Sequence, residues 1–219
     1  EITMKLPTKY TSILNTKETE HAIVAIKDFF QLALSTELNL SRVTAPLFVG
    51  QGTGINDDLN GIERPVSFPV KALNDSKMEI VQSLAKWKRL KITDLGLETG
   101  FGIYTDMNAL RPDEDLDPIH SIYVDQWDWE KVINREDRNE DYLKNTVKAI
   151  VNALVDTLET VKSRFPEVKT DITRDVYFIT ASELEEMYPD LTPKEREKAI
   201  TKEKKIVFLM QIGGKLKSG

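Results

Sequence analysis

The chain contains no cysteine, which excludes disulfides, thiolate metal centres and cysteine nucleophiles. Histidine is nearly as scarce. His21 and His120 lie far apart in sequence and argue against a multi-histidine metal site. No apolar run approaches the ~20 residues of a membrane helix, and the N-terminal EITMKLPTKY lacks the apolar core of a secretion signal. A cytoplasmic protein without a membrane partner is therefore expected. An excess of basic residues is also missing. The net charge is −6, which argues against a broad nucleic-acid footprint. A local basic pocket for a small anion remains open.

What is present reads as one domain over residues 1–219, of α+β class, with a mostly antiparallel sheet flanked by helices. Asn15 or Thr16 can cap a helix to about Leu34, with Ala22, Ile23, Ile26, Phe29, Phe30 and Ala33 at helical spacing. Arg42–Val49 predicts a strand, and Pro46 favours an edge or interface position for it. Gly50–Gly61 (GQGTGINDDLNG) is a loop that is neither a P-loop nor a dinucleotide fingerprint. Strands are expected over Pro65–Ala72 and Lys77–Gln82, turning at Asn74-Asp75, and a helix capped by Ser83 runs to about Leu90. Gly102–Leu110 and Ser121–Trp129 read as an antiparallel pair. A long helix over Asn139–Phe165 carries a stripe of Leu143, Val147, Ile150, Leu154, Leu158 and Val161 and stops at Pro166. Asp175–Thr180 and Lys205–Ile212 read as strands. Capping boxes are expected at Ser182/Glu185 and Thr192/Glu195.

The chemistry concentrates between Ser83 and Glu130. If the two strong strands pair, period-two alternation brings Arg111, with Thr105, Met107 and Ala109, to the face of Gln126 and Asp128. One face then presents a guanidinium, an amide and a carboxylate. An arginine fork suits a carboxylate or phosphate. The competing reading pairs Arg111 with Asp113, Glu114 or Asp115 at a hairpin end. The helix start at Ser83 offers free N–H groups to an anion, and Lys88 can lean back toward them. Read plainly, Ser83 is only a cap and the lysines are surface groups. Asp57 and Asp58 read first as solvated turn residues, and His120 as a structural histidine. The run Asp113–Asp117 offers carboxylates to Mg2+ through water, yet reads first as a solvated loop. No metal ligand is assigned.

Taken together, SLAKWKR (Ser83–Arg89), Ile103–Thr105, ALRPDED (Ala109–Asp115), HSIYVDQWDWE (His120–Glu130), DLNGIE (Asp58–Glu63), YPDL (Tyr188–Leu191) and IGGKL (Ile212–Leu216) closely resemble the ammonia-dependent asparagine synthetases, the aspartate–ammonia ligases. The resemblance extends from Arg42 onward. That family is similar to the catalytic core of class II aminoacyl-tRNA synthetases, which implies an antiparallel sheet flanked by helices and a homodimer. The strand at Pro46 resembles the first class II motif, which serves dimerisation, and the strand ending at Arg111 the second.

The resemblance implies activation of the L-aspartate side-chain carboxylate by ATP, with Mg2+, to β-aspartyl-AMP and pyrophosphate. Attack by ammonia then gives asparagine and AMP. It implies catalytic roles for Arg111, Gln126 and Asp57, the last at the ammonium. Ser83 and Lys88 fall at the substrate α-carboxylate and Asp128 at the α-ammonium. Arg111, His120, Ser121 and Val124 fall at the nucleotide. No N-terminal cysteine is present for a glutaminase, so ammonia is the expected nitrogen donor. The family pattern continues beyond IGGKL into a third class II motif, so the 219-residue chain alone is expected to lack ligase activity. Two other readings compete: a non-catalytic aspartate or adenylate sensor, and a tRNA-acting synthetase core. The negative charge weighs against the latter.

Overall fold

The computed structural model describes residues 10–57, 59, 61–117 and 120–213. Of the motifs above, Asp58, Asn60, Pro118, Ile119 and the stretch from Gly214 lie outside the described residues, as does most of the N-terminal decapeptide. The elements run α1 (Thr16–Leu38), β1 (Leu40–Arg42), β2 (Phe48–Gly50), β3 (Ser67–Val70), β4 (Ser76–Ile80), α2 (Ala85–Leu95), β5 (Gly102–Leu110), β6 (Tyr123–Lys131), α3 (Glu140–Arg164), β7 (Tyr177–Thr180), α4 (Ala181–Met187), α5 (Pro193–Lys204) and β8 (Val207–Met210). They divide into two compact units. Among the described residues, one comprises those of Leu38–Asn134 with residues 10–12; the other comprises Ile13–Glu37 and residues 135–213.

The first unit contains two three-stranded sheets. β5 lies between β1, its parallel neighbour, and β6, its antiparallel one. The β5–β6 register is continuous from Gly102↔Lys131 to Leu110↔Tyr123. β4 lies between β2 and β3 in an antiparallel sheet. The strand expected over 42–49 is thus two short strands in different sheets. Pro46, which has no N–H for a ladder, falls in the break. Asn74 and Asp75 turn the β3–β4 hairpin with φ of 53° and 58°, the left-handed conformation that these two residues tolerate.

α2 begins one residue later than expected. Leu84 occupies its N-cap, and Ser83 Oγ accepts from Ala85 N at 3.3 Å. The helix runs on to Leu95, where Gly96 in left-handed conformation returns its N–H to Ile92 and Thr93. Val81, Leu84, Met107 and Ala109 form the core of this unit, with Ala45, Val49, Trp87 and Val124 packed on it. Arg64, in the loop before β3, is tied to Asp113, beyond the end of β5. Its Nε and Nη2 donate to the carboxylate and its backbone N donates at 2.7 Å. The guanidinium and the backbone N–H hold the Asp113 carboxyl down to about 2.

In the second unit, Asn15 and Glu18 cap α1 reciprocally. The helix runs to Leu38, four residues past the expected end. Asn139 caps α3 by accepting from Tyr142 N at 2.9 Å. Its buried ridge is Val147, Val151 and Val155, spaced i, i+4, against Ile172, Val176, Phe178, Ile206 and Phe208. Leu143 and Leu154 of the expected stripe are largely exposed, at 40% and 41%. The first expected capping box is shifted by two residues. Helix α4 follows β7 directly, so Thr180 and Glu183 form the box in place of Ser182 and Glu185. Glu195 caps α5 as expected, accepting from the Thr192 N–H and hydroxyl. β7 and β8 are parallel, which requires the α4–α5 crossover between them. The remaining pairs, apart from β1–β5, are antiparallel, in keeping with the mostly antiparallel sheet expected.

Two outcomes follow from this packing. A Cβ on Gly102 would collide with the backbone of Glu130 and Lys131 and with the Leu40 side chain. Gly102→Ala is expected to destabilise the protein by about 1–3 kcal/mol, read by chemical denaturation. The Asp113 carboxyl has its folded-state value depressed below the ordinary 3.8, so its tie to Arg64 stabilises above that value and is lost as pH falls toward about 2. Across that window the folded-state stability of Asp113→Asn is expected to fall less steeply with acid than that of the parent chain.

Candidate active site

Lys88 lies one turn into α2, its side chain only 7% exposed. A buried ammonium needs partners, and here they come from β6. Nζ donates to Asp128 Oδ1 at 2.5 Å and to the Trp129 carbonyl at 2.9 Å, with Glu130 Oε2 at 3.5 Å. Asp128 and Glu130 are two apart on a strand and share a face. The expected pairing of the two strong strands is observed. Thr105 faces Asp128, Met107 faces Gln126, and Ala109 faces Val124. Gln126 Nε2 rests on the Met107 sulfur at 3.3 Å. One face of the β5–β6 pair therefore carries Asp128, Gln126 and Val124 in that order, beside Thr105, Met107 and Ala109.

Arg111 continues the line of β5, its N–H donating to the Ile122 carbonyl at 2.8 Å. The expected competitor, an ion pair with Asp113, is not what the structure shows, since Arg64 holds that carboxylate. Arg111 Nη2 instead donates to the Gln82 carbonyl at 3.5 Å, and Nε is buried without a partner. Arg111 lines a pocket of about 310 Å³ together with Leu59, Glu63, Gln82, Asp113 and Glu114. An unpartnered buried guanidinium N–H facing a pocket of this kind suits a ligand acceptor.

The remaining candidates are dispersed around this face. Asp57 pairs with Lys86, at the start of α2, at 3.1 Å. Ser83 lies two residues before α2 begins. β6 begins at Tyr123, two residues later than the expected Ser121, and His120 before it forms an isolated bridge with Asp117. Its exposed ring contacts the Asp117 carboxylate through Nδ1 at 2.7 Å. Ser121 is exposed, and Val124 packs partly buried on the core cluster. Among the described residues no group of three His, Cys, Asp or Glu side chains is arranged to hold a metal ion. No described helix is long and apolar enough to cross a membrane.

Sequence reasoning missed Gln82, Arg64 and Glu130. Gln82 is 1% exposed, a polar side chain at the end of the apolar run Ile80-Val81. That placement was its one signal. Arg64 and Asp113 are 49 residues apart, and no local pattern joins them.

Comparison with known proteins places this geometry. The family model described as aspartate–ammonia ligase matches residues 17–219. An aspartate–ammonia ligase of Clostridium perfringens is 56% identical over 214 residues, covering 98% of this chain and 64% of the relative. One from Bacteroides fragilis is 55% identical, covering 97% of this chain and 62% of its own length. The chain thus spans somewhat less than two thirds of these relatives. Among solved structures, asparaginyl-tRNA synthetase from Pyrococcus horikoshii, complexed with asparaginyl-adenylate, superposes with a TM-score of 0.61 at 18% identity, over 89% of this chain and 45% of that one. That likeness establishes the class II synthetase-like fold expected from the sequence. A ligase-family match over nearly the whole chain, on that fold, settles the lineage: the chain belongs to the aspartate–ammonia ligase family.

Proposed function

We propose that the protein carrying this chain converts L-aspartate, ATP and ammonia to L-asparagine, AMP and pyrophosphate through β-aspartyl-AMP. The observation that carries the reading is the order of groups along one strand face. Asp128, Gln126 and Val124 succeed one another about 7 Å apart, with Lys88 on Asp128 and Arg111 beyond Ala109. That order matches an aspartyl-adenylate laid lengthwise: charged α-groups first, the β-carboxyl next, the nucleotide last. The Pyrococcus neighbour holds a compound of the same class, asparaginyl-adenylate.

Each residue has a physical task in this reading. Aspartate brings an α-carboxylate and an α-ammonium. Lys88 takes the first, near Ser83 at the start of α2, and Asp128 takes the second. Gln126 holds the β-carboxyl. Activation requires a carboxylate oxygen to approach the α-phosphorus of ATP, one anion meeting another. Arg111 neutralises both and fixes their approach. The new O–P bond forms as the bond to pyrophosphate breaks. Ammonium, drawn by Asp57, gives up one proton. The lone pair of ammonia then attacks the β-carbonyl carbon, the C–O bond to AMP breaks, and a second proton leaves as the amide forms. His120, Ser121 and Val124 flank the adenosine. Mg2+ bound with ATP would screen the charge of its phosphates; among the described residues no group is assigned to hold it.

Residues 1–219 form part of one catalytic domain in this reading, and the enzyme is a cytoplasmic homodimer. Leu47 and Phe48, beside Pro46, stand about half exposed, as a dimer-forming strand requires.

The test is aspartate-dependent exchange of labelled pyrophosphate into ATP by the purified gene product, followed by transfer of 15N from ammonium into asparagine. Exchange and label transfer are expected. Aspartate binding without exchange would leave a sensor rather than a ligase. Arg111→Lys keeps the charge but loses the planar fork, and is expected to lower the exchange rate by about a hundredfold. Asp128→Asn should raise the aspartate KM by about tenfold or more while changing the ATP KM far less.

A further inference from the structure

We infer that Gln82 is a further substrate-contacting residue, whose Oε1 accepts an N–H of the incoming ammonia and holds its lone pair toward the carbonyl held at Arg111; the inference rests on the ligase reading above. Three observations converge on it. Gln82 is 1% exposed, yet its Oε1 has no hydrogen-bond partner. A buried amide oxygen left unpaired costs free energy unless a ligand completes it. The orientation of the amide is fixed by its neighbour. Nε2 donates to the Arg64 carbonyl at 3.2 Å, and a carbonyl can only accept, so the oxygen is the end left over. Gln82 also lines the same pocket as Arg111, whose Nη2 rests on the Gln82 backbone carbonyl and whose own Nε is unpartnered.

One orphan donor and one orphan acceptor on the walls of one pocket are a complementary pair. A carbonyl oxygen under attack suits Arg111 Nε, and the attacking N–H suits Gln82 Oε1. The loop bearing the ammonium-drawing carboxylate is fastened to the same residue, since Asn56, next to Asp57, accepts from Gln82 N at 2.9 Å. The chemistry favours an amide here over a donor or a second base. A donor would occupy the lone pair that must attack. A neutral amide oxygen orients ammonia without removing a proton, leaving that task to Asp57.

Gln82→Met keeps the length of the side chain and removes the acceptor. Gln82→Glu keeps an acceptor and removes the bond to Arg64. Both are assayed in the full gene product, with ammonium varied at saturating aspartate and ATP and with pyrophosphate exchange measured without ammonium. Gln82→Met is expected to raise the ammonium KM by about tenfold. Its effect on exchange should be several-fold smaller, and Gln82→Glu, which sets a second base or a donor in place of the neutral acceptor, should also raise the ammonium KM by more than it slows exchange. An unchanged ammonium KM in Gln82→Met, or exchange falling in parallel with it, would overturn the inference. If Gln82→Met does not fold, Gln82→Glu decides alone: a raised ammonium KM with exchange nearly retained supports the role, and an unchanged ammonium KM, or exchange falling in parallel, overturns it. A parent protein without exchange would instead sink the ligase reading itself, so the two failures are separable.

Discussion

The register between β5 and β6 is the constraint on which the candidate site depends. Nine consecutive pairs, Gly102↔Lys131 to Leu110↔Tyr123, decide which side chains stand together. A slip of one residue would turn Gln126 and Asp128 to the opposite face from Lys88 and move them out of line with Arg111. The register is anchored at one end by Gly102, where strands on both sides leave no room for a Cβ. At the other end the ladder runs on through Arg111 N–H and the Ile122 carbonyl. Packing secures the middle. Met107 and Ala109 are buried with Val81 and Leu84 and cannot exchange faces without exposing that core.

On this frame a chain of net charge −6 builds an interior that is locally rich in cations. Lys88 is buried, and part of the Arg111 guanidinium is too. Burying such groups is costly unless each is matched. Lys88 is matched by Asp128, Glu130 and a backbone carbonyl. Arg111 is matched only in part, by one long bond. The difference is chemically sensible in the proposed reading, where Lys88 holds a substrate end and Arg111 meets charge that develops during reaction. The Arg64–Asp113 tie supports this indirectly. It occupies the nearest acidic residue after the hairpin end and leaves Arg111 turned toward Gln82.

Much of this was legible because it was written in short-range pattern. The alternation in GIYTDMNAL and YVDQWDWEK marked the strands and placed Arg111, Gln126 and Asp128 on one face. Asn139 and Thr192 marked helix starts by known capping chemistry, whereas Gly96, the actual end of α2, went unread. What escaped depended on long-range contact. The strand was read to end at Thr180, but nothing local shows that α4 follows it without a connecting residue, which makes Thr180 rather than Ser182 the cap. Likewise, Pro46 argued for an edge or interface strand without showing that the chain changes sheets there. The partners of Lys88 lie about 40 residues away and those of Arg64 lie 49 away, so only the folded chain shows which carboxylate goes with which cation. Gln82 had a signal, a polar residue closing an apolar run, but its unsatisfied oxygen is a property of the tertiary structure.

In the proposed reading, the Lys88–Asp128 pair has a consequence for discrimination among ligands. Before any ligand arrives, the two side chains satisfy each other, so the pocket carries its own placeholder salt. A zwitterion can replace that salt with no charge left over: its carboxylate releases Asp128 from Lys88, and its ammonium replaces the cation that Asp128 has lost. A plain dicarboxylate of the same length can attract Lys88 but strands Asp128, now facing a second anion across a buried gap. An amine without a carboxylate strands Lys88 in turn. The closed pair thus acts as a charge-parity gate, admitting amino acids over their deaminated or decarboxylated counterparts before the reacting carboxyl is reached.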